Sequence, residues 1–158
     1  MNNIHCLSRL EFKNELHGIT EHQFDSTAFI SIHSPKIGLH FNDTEVILED
    51  APNVLNLWFH DIDPESEVEW LLDNPDHVEV AFDEIMALQI KEFLLRNKRK
   101  LNWMIHCTAG ICRSGAVGEV INDYFQQNFL GFKRDNPQIN PNVWVKKVLR
   151  KTLGLHAQ

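Results

Sequence analysis

Apolar residues follow two rhythms along this chain, and the switches between them mark the elements. Ile4 to Leu7 and Thr27 to His33 (Thr-Ala-Phe-Ile-Ser-Ile-His) read as strands, the second stopped by Ser34-Pro35. Val54 to Phe59 (Val-Leu-Asn-Leu-Trp-Phe) is a nearly continuous apolar run, the pattern of a strand covered on both faces. Leu101, Trp103 and Ile105 alternate with Asn102, Met104 and His106, a further strand that leads directly into Cys107. Helical spacing takes over from Pro75. There Val78, Phe82, Ile85, Met86, Gln89, Phe93 and Leu94 recur three or four apart as far as Arg96, with Pro75 and Asp76 in the first turn. The helical period returns after Arg113 with Ala116, Val117, Val120, Ile121, Tyr124 and Phe125 on one face. Beyond the breaks at Asn136-Pro137 and Pro141 a last amphipathic helix carries Trp144, Val145, Val148 and Leu149. Glu11 to Phe24 fits neither rhythm cleanly. Strands alternating with helices predict an α/β fold with a mainly parallel central sheet flanked by helices. Ligands of such sheets bind at the carboxyl ends of strands, where both Asp61 and Cys107 fall.

A length of 158 residues supports one domain with a proper core, and no repeat or linker divides it, so residues 1–158 are read as one unit. The net charge of -7 argues against broad electrostatic attachment to nucleic acid or to anionic lipid. No stretch of about 18 apolar residues is present, so no membrane partner is expected. Cys6, Cys107 and Cys112 are too few, and odd in number, for a disulfide framework. The opening Met-Asn-Asn-Ile-His-Cys lacks the basic flank and apolar run of an export signal, and the expected compartment is the cytoplasm. Nine histidines (His5, His17, His22, His33, His40, His60, His77, His106 and His156) show no zinc-like spacing, so neither a metal nor any other cofactor is expected.

The chemistry concentrates in His106-Cys107-Thr108-Ala109-Gly110-Ile111-Cys112-Arg113-Ser114-Gly115, a Cys-x5-Arg segment between a strand and a helix. Such a loop can curl so that successive backbone N–H groups point inward, and a helix starting near Arg113 adds its positive dipole end to the same point. Thr108, Ala109, Gly110, Ile111 and Cys112 would then cradle an oxyanion, with Arg113 supplying a planar two-pronged donor for two phosphate oxygens. Cys107 lies at the floor, where the field that holds a dianion also favours a thiolate nucleophile. Gly110 suits a tight turn, and the Ser114 hydroxyl can donate to the sulfur as it leaves. His106 supports the loop from behind.

These residues resemble the His-Cys-x5-Arg-Ser/Thr motif of the cysteine-dependent protein tyrosine phosphatase superfamily, and most closely its compact dual-specificity branch of small prokaryotic or viral type. The resemblance implies a phosphocysteine intermediate on Cys107, phosphoryl binding by Arg113 and an upstream aspartic acid that protonates the leaving oxygen. Asp61 and Asp63, in Trp58-Phe59-His60-Asp61-Ile62-Asp63-Pro64, are the candidates. Asp61 is preferred because it follows the strand directly. Its distance from Cys107, 46 positions (107 minus 61), is longer than is usual in the compact branch. The excess is placed in Glu65 to Asn74, as an extra turn near the site. Pro141-Asn142 followed by Trp144 is similar to the Pro-Asn-x-x-Phe pattern of dual-specificity domains, which implies that Asn142 braces the phosphate loop. In all, the resemblance spans Val54 to Leu149.

It further implies a protein phosphatase for phosphotyrosine, with phosphoserine and phosphothreonine as further substrates and a phosphorylated protein or peptide as partner. The loop has no lysine to meet the extra phosphates of an inositol lipid. Cys112 also matches a spacing found in low-molecular-weight tyrosine phosphatases, which implies a reversible disulfide with Cys107. Two other readings share the cradle: a phosphoprotein-binding module without turnover, motivated by the long spacing from Asp61, and a thiol-dependent arsenate reductase with Cys112 as resolving thiol. Around the motif, Cys6 reads as a small buried apolar residue, Trp70 as a core residue with a lid wall as the alternative, His60 as a solvated loop position with a hydrogen bond in the site as the alternative, and Lys98-Arg99-Lys100 as a solvated loop.

Overall fold

The backbone of a computed structural model, described for residues 1–35, 47–76 and 79–156, turns these rhythms into eleven elements. They run β1 (Asn3–Leu7), α1 (Arg9–Gly18), α2 (Glu21–Asp25), β2 (Thr27–His33), β3 (Val54–Trp58), α3 (Val68–Asp73), α4 (Glu84–Asn97), β4 (Asn102–His106), α5 (Arg113–Tyr124), α6 (Phe129–Asp135) and α7 (Val143–Thr152). The strands form one sheet in the order β1-β4-β2-β3, and every pairing is parallel. The chain is therefore a single α/β domain with a four-stranded, all-parallel sheet flanked by helices. No helix among the described residues is long and apolar enough to cross a membrane.

Both faces of the sheet are covered, so all seven residues of β2 are buried. The period-2 alternation sorts side chains between two cores. Ile4, Cys6, Ala28, Ile30, Ile32, Leu57, Trp103 and Ile105 face one way, against α4, α5 and α7. Phe29, Met104 and Leu7 face the other, where Phe12 of α1 and Phe24 close the layer. Burying each large side chain completely is worth about 1.5–3 kcal/mol, so the twelve largest, Trp103 and Phe12 among them, dominate the packing energy. On the outer side α7 is tied to α5 by Lys146–Glu119 and Arg150–Asp123 ion pairs, each 2.5 Å.

Several expectations need correction. The helix read from Pro75 begins at Glu84, where the Asp83 carboxylate accepts from the Met86 N–H; Pro75 and Asp76 lie in a turn instead. Its buried face is Ala87, Ile90, Phe93, Leu94 and Asn97, and Ile85 is exposed. Val78, assigned to that helix, and His40 and His77 of the histidine set lie outside the described residues. Trp70 is not a core residue, being 48% exposed on α3, no residue of which is buried. The ambiguous Glu11 to Phe24 region is two short helices, each started by a reciprocal capping box, Ser8 with Glu11 and Thr20 with Gln23. His60 is not simply solvated: its backbone N–H donates to the Val80 carbonyl and its ring Nδ1 accepts from the Val80 N–H, which anchors the segment that carries Asp61.

Candidate active site

All four strands end on the same side, and the residue after each end contributes to one place. Cys107 follows β4, Ser8 follows β1, Ser34 follows β2, and Phe59 leads from β3 to Asp61. Cys107 is 2% exposed, its N–H donating to the Leu7 carbonyl at 3.3 Å. From there the loop climbs to α5 with its carbonyls turned outward. Thr108 O accepts from Arg9 N–H (3.2 Å), Gly110 O from Gln138 Nε2 (3.1 Å), Ile111 O from Asn140 N–H (3.0 Å) and Cys112 O from Asn142 N–H (3.0 Å).

A trans peptide points its C=O and the next N–H in opposite directions, and no peptide bond of the described residues is cis. Outward carbonyls at 108, 110, 111 and 112 therefore aim the N–H groups of Ala109, Ile111, Cys112 and Arg113 inward. Among the described residues no backbone acceptor meets any N–H from Thr108 to Arg113. The N-terminus of the twelve-residue α5 opens at the same point. Together they form an anion cradle. Gly110 makes the turn possible at φ 73°, with its α-carbon packed against the start of α1.

Arg113, 6% exposed, is held by neutral acceptors. Nη1 donates to Ser34 Oγ (3.0 Å) and to the Phe59 carbonyl (2.8 Å), and Nη2 donates to Thr108 Oγ1 (3.0 Å). A guanidinium has five N–H donors. Three are used by the protein, which leaves Nε–H and one Nη2–H, the adjacent pair suited to two oxygens of one oxyanion. Among the described residues no carboxylate lies within ion-pair distance of Arg113, so its charge is available to a ligand.

Ser114 is fully buried with its Oγ 3.2 Å from Cys107 Sγ; the thiol donates to it, and towards a thiolate the hydroxyl donates instead. Behind the sulfur, Cys6 Sγ donates to the Ser114 carbonyl at 3.3 Å. Burial, followed by the neighbouring Cys107, pushes the Cys6 thiol far up, so it stays neutral and serves as packing. All three cysteines are free thiols.

Of the two acid candidates, Asp61 lies at the cradle. Its Oδ1 accepts from Asn142 Nδ2 at 2.8 Å, and its carboxylate faces Cys112. Burial first, then the charge and hydrogen bond of Asp61, push the Cys112 thiol up and keep it protonated. Asp63 turns away and accepts from the Glu65 N–H at 3.1 Å, starting the extra turn that leads to α3. Asn142 touches the loop from Cys107 to Arg113 through its backbone and Asp61 through its side chain.

His106 supports the loop from the opposite face of the sheet. Its ring stacks on Phe12 at 4.1 Å and meets His33 edge-on at 5.6 Å, and neither ring nitrogen has a hydrogen-bond partner. Burial, then the charges of His33, Arg9 and Arg113, lower its pKa from 6.5 to about 3. The unfolded chain takes up this proton near 6.5 and the folded chain only near 3, so folding stability is full above pH 6.5 and falls progressively between those values. Urea denaturation across that window should show the decline, and His106→Leu should flatten it; an unchanged slope in the variant would assign the decline to other groups.

Sequence reasoning missed the contributions of Ser34 and Gln138, whose partners lie 79 and 28 residues away along the chain. The start of α1 carries a signal that the reading of the sequence did not use, the capping box Ser8-x-x-Glu11 one residue beyond a strand. No protein-family model matches the sequence, and no curated protein matches it.

Proposed function

We propose that this chain is a metal-independent phosphomonoesterase of phosphorylated proteins, acting on phosphotyrosine and also on phosphoserine and phosphothreonine, through a phosphocysteine on Cys107. The observation that carries the reading is the inward set of amides, closed at one end by Cys107 and at the other by the open Nε/Nη2 edge of Arg113. A tetrahedral dianion satisfies those donors, and its phosphorus then faces the sulfur.

In the first step the Cys107 thiolate forms an S–P bond while the P–O bond to the leaving group breaks, and Asp61 gives that oxygen its proton. In the second, water attacks phosphorus, Asp61 takes the water proton, and the S–P bond breaks to return the thiolate, to which the Ser114 hydroxyl donates. Inorganic phosphate leaves. Three free thiols fit a reducing compartment, and the cytoplasm is the proposed location.

The test is phosphate release from p-nitrophenyl phosphate and a phosphotyrosine peptide, with reductant and chelator present. Vanadate-sensitive release, with acid-stable phosphate trapped on the protein, is the expected result. Peptide binding without release would make the chain a phosphoprotein-binding module.

A further inference from the structure

The segment from Asn136 to Asn142 runs as a strap along the outer side of the cradle, and every polar group of its last residue is engaged. The Asn142 N–H donates to Cys112 O at 3.0 Å, and its Oδ1 accepts from Val145 N–H at 3.0 Å, capping α7. That contact fixes the orientation of the side-chain amide. Its Nδ2 donates to Asp61 Oδ1 at 2.8 Å and to the Ile62 carbonyl at 3.0 Å. One residue thus joins α7, the phosphate loop and the segment carrying the acid.

Resting on the phosphatase reading, we infer that Asn142 is the positioning residue of proton transfer: it selects the Asp61 oxygen that carries the proton and fixes its place over the leaving group. The Nδ2 group has only donors. Asp61 Oδ1 is therefore an acceptor whether the carboxyl is charged or neutral, and the transferable proton resides on Oδ2. The second Nδ2 donor, on the Ile62 carbonyl, holds the backbone beside the acid and prevents the carboxyl from rotating with the segment. Without this clamp Asp61, which is exposed, keeps only its contact with the Cys112 thiol and has other rotamers open to it.

The side chain also caps a helix, so truncation to alanine confounds two effects. Asp and Ser are both good N-caps, and neither alters the backbone N–H on Cys112. Asn142→Ser keeps the cap and drops the clamp; Asn142→Asp keeps the cap and sets an acceptor against Asp61 Oδ1. The experiment compares kcat/KM for p-nitrophenyl phosphate, whose leaving group needs little protonation, with that for phenyl phosphate, whose leaving group needs it.

A general acid contributes about 10²- to 10⁴-fold. Both variants should lose about 10- to 100-fold on phenyl phosphate and less than about 3-fold on p-nitrophenyl phosphate, with KM and melting temperature little changed. Neither should cause a further loss when combined with Asp61→Asn. Equal losses on the two substrates, no loss on either, or a full additional loss in the Asp61→Asn background would overturn the inference. A wild-type chain that releases phosphate from neither substrate would instead overturn the phosphatase reading, and this inference with it.

Discussion

Replacing Cys107 with serine is expected to abolish phosphate release while leaving oxyanion binding intact. The substitution exchanges sulfur for oxygen at a position only 2% exposed, between the Leu7 carbonyl and Ser114, so it disturbs little packing. The donors for the ligand are unaffected, since the inward amides and the open edge of Arg113 are fixed by contacts to Arg9, Gln138, Asn140, Asn142, Ser34 and Phe59 rather than by Sγ. A serine hydroxyl lacks the ready ionisation of a thiol, and the adjacent His106 lies on the other face of the sheet, stacked on Phe12. Turnover should fall by more than about 10³-fold. Calorimetric titration with tungstate should give affinity within a few-fold of wild type. Residual turnover within about 10-fold of wild type would remove Cys107 as the nucleophile, whatever the binding result.

Gly110→Ala should have the next largest effect, on the fold and the site together. The residue sits at φ 73°, where a side chain costs about 1–2 kcal/mol. An added Cβ would also lie 2.4 Å from the Ser8 nitrogen and 2.6 Å from the Leu7 carbonyl carbon. Those atoms belong to the backbone, at the junction of β1 and α1, and cannot rotate aside. Relief requires the loop to lift from β1, which breaks the Thr108 and Gly110 carbonyl contacts and turns the amides away from the cradle. A loss of about 2–4 kcal/mol in chemical denaturation is expected, with tungstate affinity reduced at least about 10-fold. Wild-type affinity in a folded Gly110→Ala chain would show that the inward amides do not bind the anion.

The parts of this arrangement legible in the sequence are local ones. β2 and β4 have neighbours that alternate or run continuously apolar, and the Cys107 loop lies between a strand and a helix that both have clear periods. The start of α4 was misplaced because Pro75-Asp76 imitates a helix N-terminus while the Asp83 cap, seven residues later, does the work. The core reading of Trp70 fails because its helix, α3, buries none of its residues. The acid side of the site was only half readable. Asp61 could be placed after a strand, but its contact with Asn142 spans 81 residues, and no spacing rule links the two. Similarly, one of the two hydroxyls that fix Arg113, that of Ser34, follows β2, which the sheet order β1-β4-β2-β3 brings alongside β4.

That sheet order has a consequence for how the protein is made. Among the described residues β1, which precedes the other three strands of the sheet along the chain, pairs with β4 alone, and its partners lie 99 residues downstream. Until then Ile4 and Cys6 have no sheet to join, and β2 and β3 can form only a two-stranded fragment. A ribosome-bound chain stopped just after Ser114 holds the whole Cys-x5-Arg segment yet lacks the residues that turn three of its carbonyls outward, Gln138, Asn140 and Asn142. The cradle therefore cannot take shape as its own sequence emerges. Its completion awaits the strap, and on the proposed function a nascent chain is expected to gain phosphoester binding only after residue 142 has left the exit tunnel.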